Sequence, residues 1–219
     1  MIIAAPGPSS RLFGPAAEVV GRLLGGLNGT GSRSLWHRAG ADVLVQCRGF
    51  DVPELVATGS VDAGVTGYDV CVEWSLAHDE PLALYALPAT RTSFVTYCTV
   101  AGRKVETIYT EYPAITAAWL RAHARQNSAR IVRMRGSTEG IIRVDDHGAG
   151  VLLVTSGQTL AANGLDMDVP LLATDMCLVT RASFVDRGVT AGMPVLPMPS
   201  FAGGGDQRAD VVGGPAHGD

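Results

Sequence analysis

Residues 151–165 combine the residue types that hold a phosphate group. The pattern predicts a short apolar strand, then a turn containing Thr155, Ser156 and Gly157, then a helix with Thr159 near its start. Hydroxyl groups and successive backbone N–H groups at the positive end of a helix bind an anionic phosphate favourably. The alternative interpretation is that these hydroxyls only form the turn and cap the helix.

The charges of the chain indicate how it would hold a phosphate. It carries 17 arginine and lysine residues against 21 aspartate and glutamate residues, a net charge of -4, and Lys104 is its only lysine. Arginine guanidinium groups and backbone amides would therefore contact the anion. The negative net charge argues against a nonspecific nucleic-acid binder, so we expect no nucleic-acid partner.

The composition is typical of a globular protein. The chain has 219 residues, of which 47% are hydrophobic and 17% charged, enough for one large domain or two smaller ones. Its four cysteines are scattered and lie near no histidine cluster, which favours buried thiols in a reducing cytosol over a zinc site. Because no apolar run reaches membrane-spanning length and no signal-peptide pattern opens the chain, we expect a cytoplasmic protein without a membrane partner.

Strand and helix patterns alternate along the first part of the chain. They predict strands at 1–5, 41–46 and 61–66, and helices at 12–27, 51–59 and 69–77. Asp51 and Glu54 have the spacing of a capping box, so the Asp51 side chain is expected to cap the second helix. Asp69 is expected to cap the third helix in the same way.

The middle of the chain is richer in β-branched and aromatic residues, which favour strands. The expected strands are 93–100, 105–109, 131–134 and 151–154. Pro113 stands where the first turn of a helix tolerates proline. Residues 171–180 are expected to form two strands that return to the first part of the fold.

This alternation predicts an α/β fold with mostly parallel or mixed sheets covered by helices. We expect two lobes, the first formed by 1–88 and 178–202 and the second by 89–177, which carries the phosphate turn. Residues 203–219 have the composition of a disordered tail. A small ligand would be expected in the cleft between the lobes.

Four segments, in this order, resemble the ATP phosphoribosyltransferase family, the first committed enzyme of histidine biosynthesis. They are residues 48–53 (RGFDVP) with 59–69 (GSVDAGVTGYD), 110–113 (TEYP), 136–139 (GSTE) and 155–165 (TSGQTLAANGL). The resemblance implies a fold similar to the type II periplasmic binding proteins. The chain length resembles the short form of the family, which implies a homodimer or a complex with a separate regulatory subunit.

The resemblance also implies a reaction and its substrates. The family joins N1 of ATP to C1 of phosphoribosyl pyrophosphate and expels pyrophosphate. Such a displacement needs positioning and charge stabilisation more than a base, because the ring nitrogen carries its own lone pair. Magnesium is expected on the pyrophosphate oxygens, held by substrate and water, with no metal site built from the protein alone.

The same resemblance assigns candidate roles to individual residues. Phosphoribosyl pyrophosphate would contact Thr155, Ser156, Gly157, Gln158 and Thr159. The candidate catalytic residues are Arg48, Glu111 and Glu139. The nucleotide or pyrophosphate would contact Arg11, Arg33, Arg48, Tyr112, Gly136 and Ser137.

Each of these roles has a purely structural alternative. Arg48 can instead form a surface ion pair with Asp51 or Glu54. Glu111 and Tyr112 can serve helix capping and packing, and Glu139 can cap a turn.

The chain departs from the family pattern at several places, two of which bear on the site. Its first turn, residues 6–12, is longer than the family's and contains no lysine, and Leu152 stands where the family carries an acidic residue. Asp145 and Asp146 lie nearby in sequence and are candidates to replace that acid.

These departures allow two interpretations of the function. One interpretation is a transferase that uses ATP or another nitrogen heterocycle as acceptor; the other is an inactive nucleotide-binding or regulatory subunit. The phosphate turn and Arg48 favour the transferase.

Overall fold

The computed structural model describes residues 1–26, 34–88, 92–123, 129–184 and 187–201. These residues divide into two compact units. Unit one lies within Met1–Arg91 and Asp175–Met198, and unit two lies within Thr92–Thr174 and Pro199–Asp219. Each unit contains one mixed sheet with helices packed against it, which confirms the predicted α/β fold class.

Unit one is built on a six-stranded sheet in the order β2-β3-β1-β4-β11-β5. Its strands are β1 (Ile2–Pro6), β2 (Trp36–Ala39), β3 (Asp42–Cys47), β4 (Ala63–Gly67), β5 (Leu82–Ala86) and β11 (Met176–Arg181). Its helices are α1 (Phe13–Leu23), α2 (Val52–Ala57), α3 (Tyr68–His78) and α7 (Arg187–Thr190). Strand β1 is parallel to β3 and β4, whereas β11 is antiparallel to β4 and β5.

Unit two is built on a five-stranded sheet in the order β10-β6-β9-β7-β8. Its strands are β6 (Ser93–Thr99), β7 (Thr107–Thr110), β8 (Arg130–Arg133), β9 (Gly148–Val154) and β10 (Asp166–Thr174). Its helices are α4 (Pro113–Ala122), α5 (Glu139–Val144) and α6 (Gln158–Ala162). Strand β7 is parallel to β8 and β9, whereas β6 is antiparallel to β9 and β10.

The core of unit one explains why its first helix forms where the apolar spacing predicts. Ala16, Val19 and Val20 recur at helical spacing and lie in one buried cluster with Ile3 and Leu44 of the sheet. The remaining face of α1 carries polar residues, so the helix is amphipathic and its stability depends on packing against the sheet.

The expected return of residues 171–180 to the first part of the fold is wrong for one of the two strands. β10 pairs antiparallel with β6 of unit two, with Thr174 opposite Ser93, and only β11 joins the sheet of unit one. The chain leaves α6 beside the sheet of unit two, and a nine-residue strand there satisfies its backbone groups against the nearest available edge.

The two expected aspartate caps are also wrong. A 3₁₀ turn, Gly49–Asp51, precedes α2, and the Asp51 side chain makes no capping hydrogen bond. Glu54 instead accepts a hydrogen bond of 2.9 Å from the indole Nε1 of Trp74, which joins α2 to α3. Helix α3 begins at Tyr68, so Asp69 lies inside its first turn.

Gly64 provides a test of the packing of α2 on the sheet of unit one. A Cβ atom at Gly64 would lie 2.3 Å from Cγ1 of Val52 and 3.1 Å from Cγ1 of Val179. Valine side chains are stiff at χ1 and cannot swing aside. We expect Gly64→Ala to lower the free energy of unfolding by about 1–3 kcal/mol, measured by urea denaturation.

Gly21→Ala is the matched control for this prediction. Gly21 lies inside α1, and a Cβ atom there would meet no atom within 4 Å. Alanine is favoured over glycine in a helix by up to about 1 kcal/mol, so this variant should be as stable as the parent or more stable. Equal urea midpoints for Gly64→Ala and the parent would contradict the close packing described here.

Candidate active site

Three of the segments singled out in the sequence come together at one edge of the sheet of unit two. Strands β7, β8 and β9 run parallel, so the turns that follow them leave the sheet at the same edge. These turns contain residues 110–113, 136–139 and 155–159, and they lead into α4, α5 and α6. We call this edge, where the carboxyl ends of the three parallel strands lie, the carboxyl edge of unit two. Ligands of open α/β sheets bind at such an edge.

The turn after β9 leaves the hydroxyl groups of Ser156 and Thr159 without a partner among the described residues. Helix α6 begins at Gln158 without a side-chain capping bond, so the capping alternative is wrong for this helix. Ser156, Gln158 and Thr159 are exposed, and within the described residues their side chains form no hydrogen bond. Gly157 has a φ of 72°, and a Cβ atom there would meet nothing within 4 Å, so the turn opens towards free space.

Thr155 is half-buried at the start of this turn, and its hydroxyl has a partner that the sequence did not indicate. Its Oγ1 lies 2.8 Å from Oγ of Ser93, the first residue of β6. Ser93 belongs to none of the motif segments and lies 62 positions away along the chain. No local pattern marks it, because its role depends on the antiparallel pairing of β6 with β9.

The turn after β7 is fixed by a buried threonine. Thr110 donates its hydroxyl to the backbone oxygen of Val151 at 2.7 Å and accepts the N–H of Tyr112 at 2.8 Å. Glu111 is half-buried at this turn, immediately before α4. The side chain of Tyr112 is only 2% exposed, so its ring contributes to packing and presents little surface to a ligand in this conformation.

The turn after β8 contains Gly136 with a φ of 126°, a conformation that favours glycine. Gly136 and Ser137 are exposed. The buried hydroxyl of Thr138 donates to the backbone oxygen of Gly136 at 3.1 Å and holds the turn. Glu139 follows as the half-buried first residue of α5.

The carboxyl edge of unit one carries two of the candidate arginines. Arg11 lies between β1 and α1, and Arg48 directly follows β3, the parallel neighbour of β1. The two turns are joined by a hydrogen bond of 2.9 Å from the N–H of Gly7 to the oxygen of Cys47. Thr66, near the end of β4, donates its hydroxyl to the oxygen of Gly49 at 3.0 Å.

Both arginine side chains are exposed, and neither forms an ion pair with any other described residue. The surface ion pair of Arg48 with Asp51 or Glu54 is therefore absent from the described part of the chain. Arg33 lies outside the described residues.

The position of the missing family acid is part of the core of unit two. Leu152 is 7% exposed and lies in one apolar cluster with Cys98, Ile142, Val154 and Leu160. A carboxylate in this cluster would lose its hydration without gaining a partner. The substitution by leucine thus fits the packing of α5 and α6 against β9.

Asp145 and Asp146 do not replace this acid at the carboxyl edge. They precede β9, whereas residues 155–159 follow it, and the seven residues of β9 separate the two ends by roughly 23 Å. The Asp145 carboxylate accepts hydrogen bonds from the N–H of His147 at 2.9 Å and from the hydroxyl of Tyr109 at 2.8 Å. These two bonds, the backbone one first, lower the pKa of Asp145.

The cysteines are poor nucleophiles in this fold. Cys71, Cys98 and Cys177 are buried and Cys47 is half-buried. Burial raises the pKa of Cys98 to about 12 and that of Cys47 to about 11, so both thiols are neutral near pH 7.

Within the described residues, no group of three or more His, Cys, Asp or Glu side chains is arranged to hold a metal ion. No described helix is long and apolar enough to cross a membrane.

Comparison with known proteins identifies relatives of this chain. The family model described as HisG, ATP phosphoribosyltransferase, matches residues 48–191. The ATP phosphoribosyltransferase of Deinococcus deserti is 36% identical over 153 residues, which cover 69% of this chain and 70% of that enzyme. The enzyme of Maricaulis maris is 33% identical over 152 residues, which cover 64% of this chain and 50% of that enzyme.

A solved structure shows the same fold. The ATP phosphoribosyl transferase (HisG:HisZ) complex from Thermotoga maritima contains a chain that superposes with a TM-score of 0.70 at 22% identity. The match covers 83% of this chain and 87% of that chain. Tv2483 bound to L-arginine superposes more distantly, with a TM-score of 0.53 at 15% identity.

These matches, together with the two mixed sheets and the hydroxyl-rich turn after a parallel strand, define the class of protein. The chain is an α/β phosphoribosyltransferase. The chain belongs to the ATP phosphoribosyltransferase family, whose members catalyse the first step of histidine biosynthesis. The family resemblance seen in the sequence is thereby confirmed.

The bond between Tyr109 and Asp145 leads to a prediction about pH. Because the pKa of Asp145 is lowered on folding, its carboxylate stabilises the protein above the ordinary pKa of 3.8, and this contribution is lost as the pH falls through the lowered value. We expect Tyr109→Phe to raise the pKa of Asp145, measured by carboxyl NMR titration. The variant should be less stable than the parent at pH 7, and this difference should shrink towards pH 3.

Tyr85→Phe is the control, because it removes a tyrosine hydroxyl from β5 of unit one, whereas Asp145 belongs to unit two. It should leave the pKa of Asp145 unchanged. An unchanged Asp145 titration in Tyr109→Phe would show that the hydrogen bond does not form in solution.

Proposed function

We propose that this chain transfers the 5-phosphoribosyl group from phosphoribosyl pyrophosphate to N1 of ATP and releases pyrophosphate. The lone pair of N1 forms a bond to C1 of the ribose while the bond from C1 to the pyrophosphate oxygen breaks. The observation that carries this proposal is the convergence of three motif-bearing turns at the carboxyl edge of unit two. Family membership supports the same reaction.

The turn from Thr155 to Thr159 is proposed to hold the 5-phosphate of the ribose. Its exposed hydroxyls have no protein partner in the described residues, and Gly157 leaves room for an anion to approach the backbone. Backbone N–H groups and hydroxyls that point at one place make several hydrogen bonds to phosphate oxygens. A side chain in place of Gly157 would occupy that space.

Arg48 and Arg11 are proposed to neutralise the pyrophosphate or the triphosphate, and Arg33 is assigned the same role by the family resemblance. An exposed guanidinium without a carboxylate partner can form a forked pair with phosphate oxygens. Negative charge develops on the leaving pyrophosphate in the transition state, so a cation there lowers the barrier more than it strengthens substrate binding.

The other candidate residues have supporting roles in this proposal. Glu111 and Glu139 stand at the starts of α4 and α5, where a carboxylate can accept hydrogen bonds from ribose hydroxyls or from water bound to magnesium. Gly136 and Ser137 offer exposed backbone and hydroxyl groups to the nucleotide. For Tyr112, burial favours a positioning role over a direct contact.

Magnesium enters the proposed reaction with the substrate. The described residues offer no cluster of three or more side chains that ligate metals, so pyrophosphate oxygens and water would provide most of its ligands. Bound in this way, the ion offsets charge on the leaving group.

The proposed partner is a second copy of the chain or a regulatory subunit, in the cytoplasm. The structural relative from Thermotoga maritima is a HisG:HisZ complex, which supports the regulatory subunit for this chain.

The residue at position 152 is the reason for a second candidate function. The family resemblance assigns the acid at this position to ribose hydroxyls or to the metal, and this chain carries a buried leucine there instead. A related nitrogen heterocycle is therefore the alternative acceptor, and a subunit that binds nucleotide without turnover is the alternative to an enzyme.

Pyrophosphate release measures the proposed function directly. The purified chain, alone and with a family regulatory subunit, is incubated with phosphoribosyl pyrophosphate, magnesium and one of a panel of purine nucleotides. We expect release that requires all components and is fastest with ATP. Release with another nucleotide alone would assign that acceptor, and tight nucleotide binding without release under any condition would identify a non-catalytic subunit.

Substitution of Gly157 tests the phosphate turn. Gly157→Asp places a carboxylate beside the proposed phosphate site, and repulsion should weaken binding of phosphoribosyl pyrophosphate about 10- to 100-fold, measured by calorimetry. Gly157→Asn is the matched control, because asparagine has nearly the same shape, tolerates positive φ and carries no charge. It should bind much more tightly than the aspartate variant. Equal affinities of the folded aspartate variant and the parent would contradict the proposed role.

A further inference from the structure

The hydrogen bond between Ser93 and Thr155 connects the phosphate turn to a strand outside the motif segments. Both residues are half-buried, and their hydroxyl oxygens are 2.8 Å apart, a normal distance for two hydroxyls. In the antiparallel pairing of β6 with β9, Phe94 lies opposite Val154. The next residues outward along the two strands are Ser93 and Thr155, so strand pairing itself brings the two hydroxyls together.

This bond determines what the Thr155 hydroxyl can do. A hydroxyl group has one proton to donate and lone pairs to accept with. If Ser93 donates to Thr155, the proton of Thr155 stays free for an acceptor at the carboxyl edge, such as a phosphate oxygen. The same bond restricts the rotation of the Thr155 side chain, so less conformational entropy is lost when a ligand binds.

Ser93 also stands where the chain enters unit two. Unit two begins at Thr92 and its first long stretch ends at Thr174, and Thr174 lies opposite Ser93 in the pairing of β10 with β6. The phosphate turn is therefore hydrogen-bonded to Ser93, where the chain enters this unit, and Ser93 in turn pairs with Thr174, where the chain leaves it. The position of the turn is thus tied directly to the first residue of β6.

We infer that Ser93 is a positioning residue for the phosphate turn: it donates its hydroxyl to Thr155 and directs the proton of Thr155 at the 5-phosphate. This inference rests on the proposed function of the turn. It adds to the proposed site a residue, Ser93, that lies in none of the four family-like segments.

Kinetics and calorimetry of Ser93 variants measure this role. Ser93→Ala should raise both the KM and the Kd for phosphoribosyl pyrophosphate about five- to tenfold, as expected for one lost hydrogen bond, with kcat and the KM for the nucleotide within about twofold of the parent. Ser93→Thr keeps a hydroxyl and suits a strand, so it should restore the parent values. A loss of kcat, or equal changes for both substrates, would overturn the inference in favour of a general structural role.

Ser60→Ala is the matched control. Ser60 also shares a hydroxyl–hydroxyl bond, 3.0 Å long, with Thr58, but this pair lies after α2 in unit one, outside the proposed site. Its removal should leave both KM values unchanged. Thermal unfolding of all variants shows whether any effect on binding comes from lost stability.

A double-mutant cycle separates this inference from the proposed function. If Ser93 acts through Thr155, Ser93→Ala should have no further effect on the Kd in a Thr155→Ala background. Additive effects would overturn the inference. A Thr155→Ala variant with the parent Kd would instead contradict the phosphate turn itself, whereas an effect of Thr155→Ala without an effect of Ser93→Ala would contradict only the positioning role.

Discussion

The parallel pairing of β7 with β8 and β9 is the constraint on which the candidate site depends. Strand direction decides at which edge the following turn leaves the sheet, and a reversed β7 would place residues 110–113 at the opposite edge. Neighbouring strands are about 4.8 Å apart, so the turns after β8 and β9, with β7 between them, begin roughly 10 Å from each other. Three segments that are far apart in sequence thus surround one small region.

The same sheet explains why the chain can lack an acid that its family carries. β9 is buried on both faces, and Leu152 and Val154 point into the cluster formed with α5 and α6. Thr155, one position beyond the strand, is where the chain leaves the core and polar groups can face solvent. The proposed binding groups are therefore concentrated in the turn, and the strand contributes rigidity rather than contacts. This division favours a site in which backbone amides and hydroxyls replace carboxylates.

Patterns within a few residues predicted much of this arrangement from the sequence. The strands β1, β3 and β9 and the amphipathic α1 have apolar patterns that tertiary packing reinforces. The errors arose where the outcome depends on distant residues. The partner of β10 is decided by which sheet edge is available, and Asp51 does not cap α2 because a 3₁₀ turn changes the geometry before the helix. No local sequence pattern could identify Ser93 as a neighbour of the turn, because its partner Thr155 is 62 positions away.

Unit one carries the exposed arginines that are proposed to bind phosphate groups. A chain of net charge -4 repels polyanions overall, so cations that bind a phosphate group in it must be local and without a carboxylate partner. Arg48 meets this condition within the described residues, where it forms no ion pair; Glu54, one of its expected partners, accepts a hydrogen bond from the indole N–H of Trp74 instead. The turn beneath it is held by the backbone bond from Gly7 to Cys47 and by the hydroxyl of Thr66. The backbone at the base of the arginine is thereby fixed, while its guanidinium has no partner among the described residues, which is the arrangement that a forked contact to a phosphate requires.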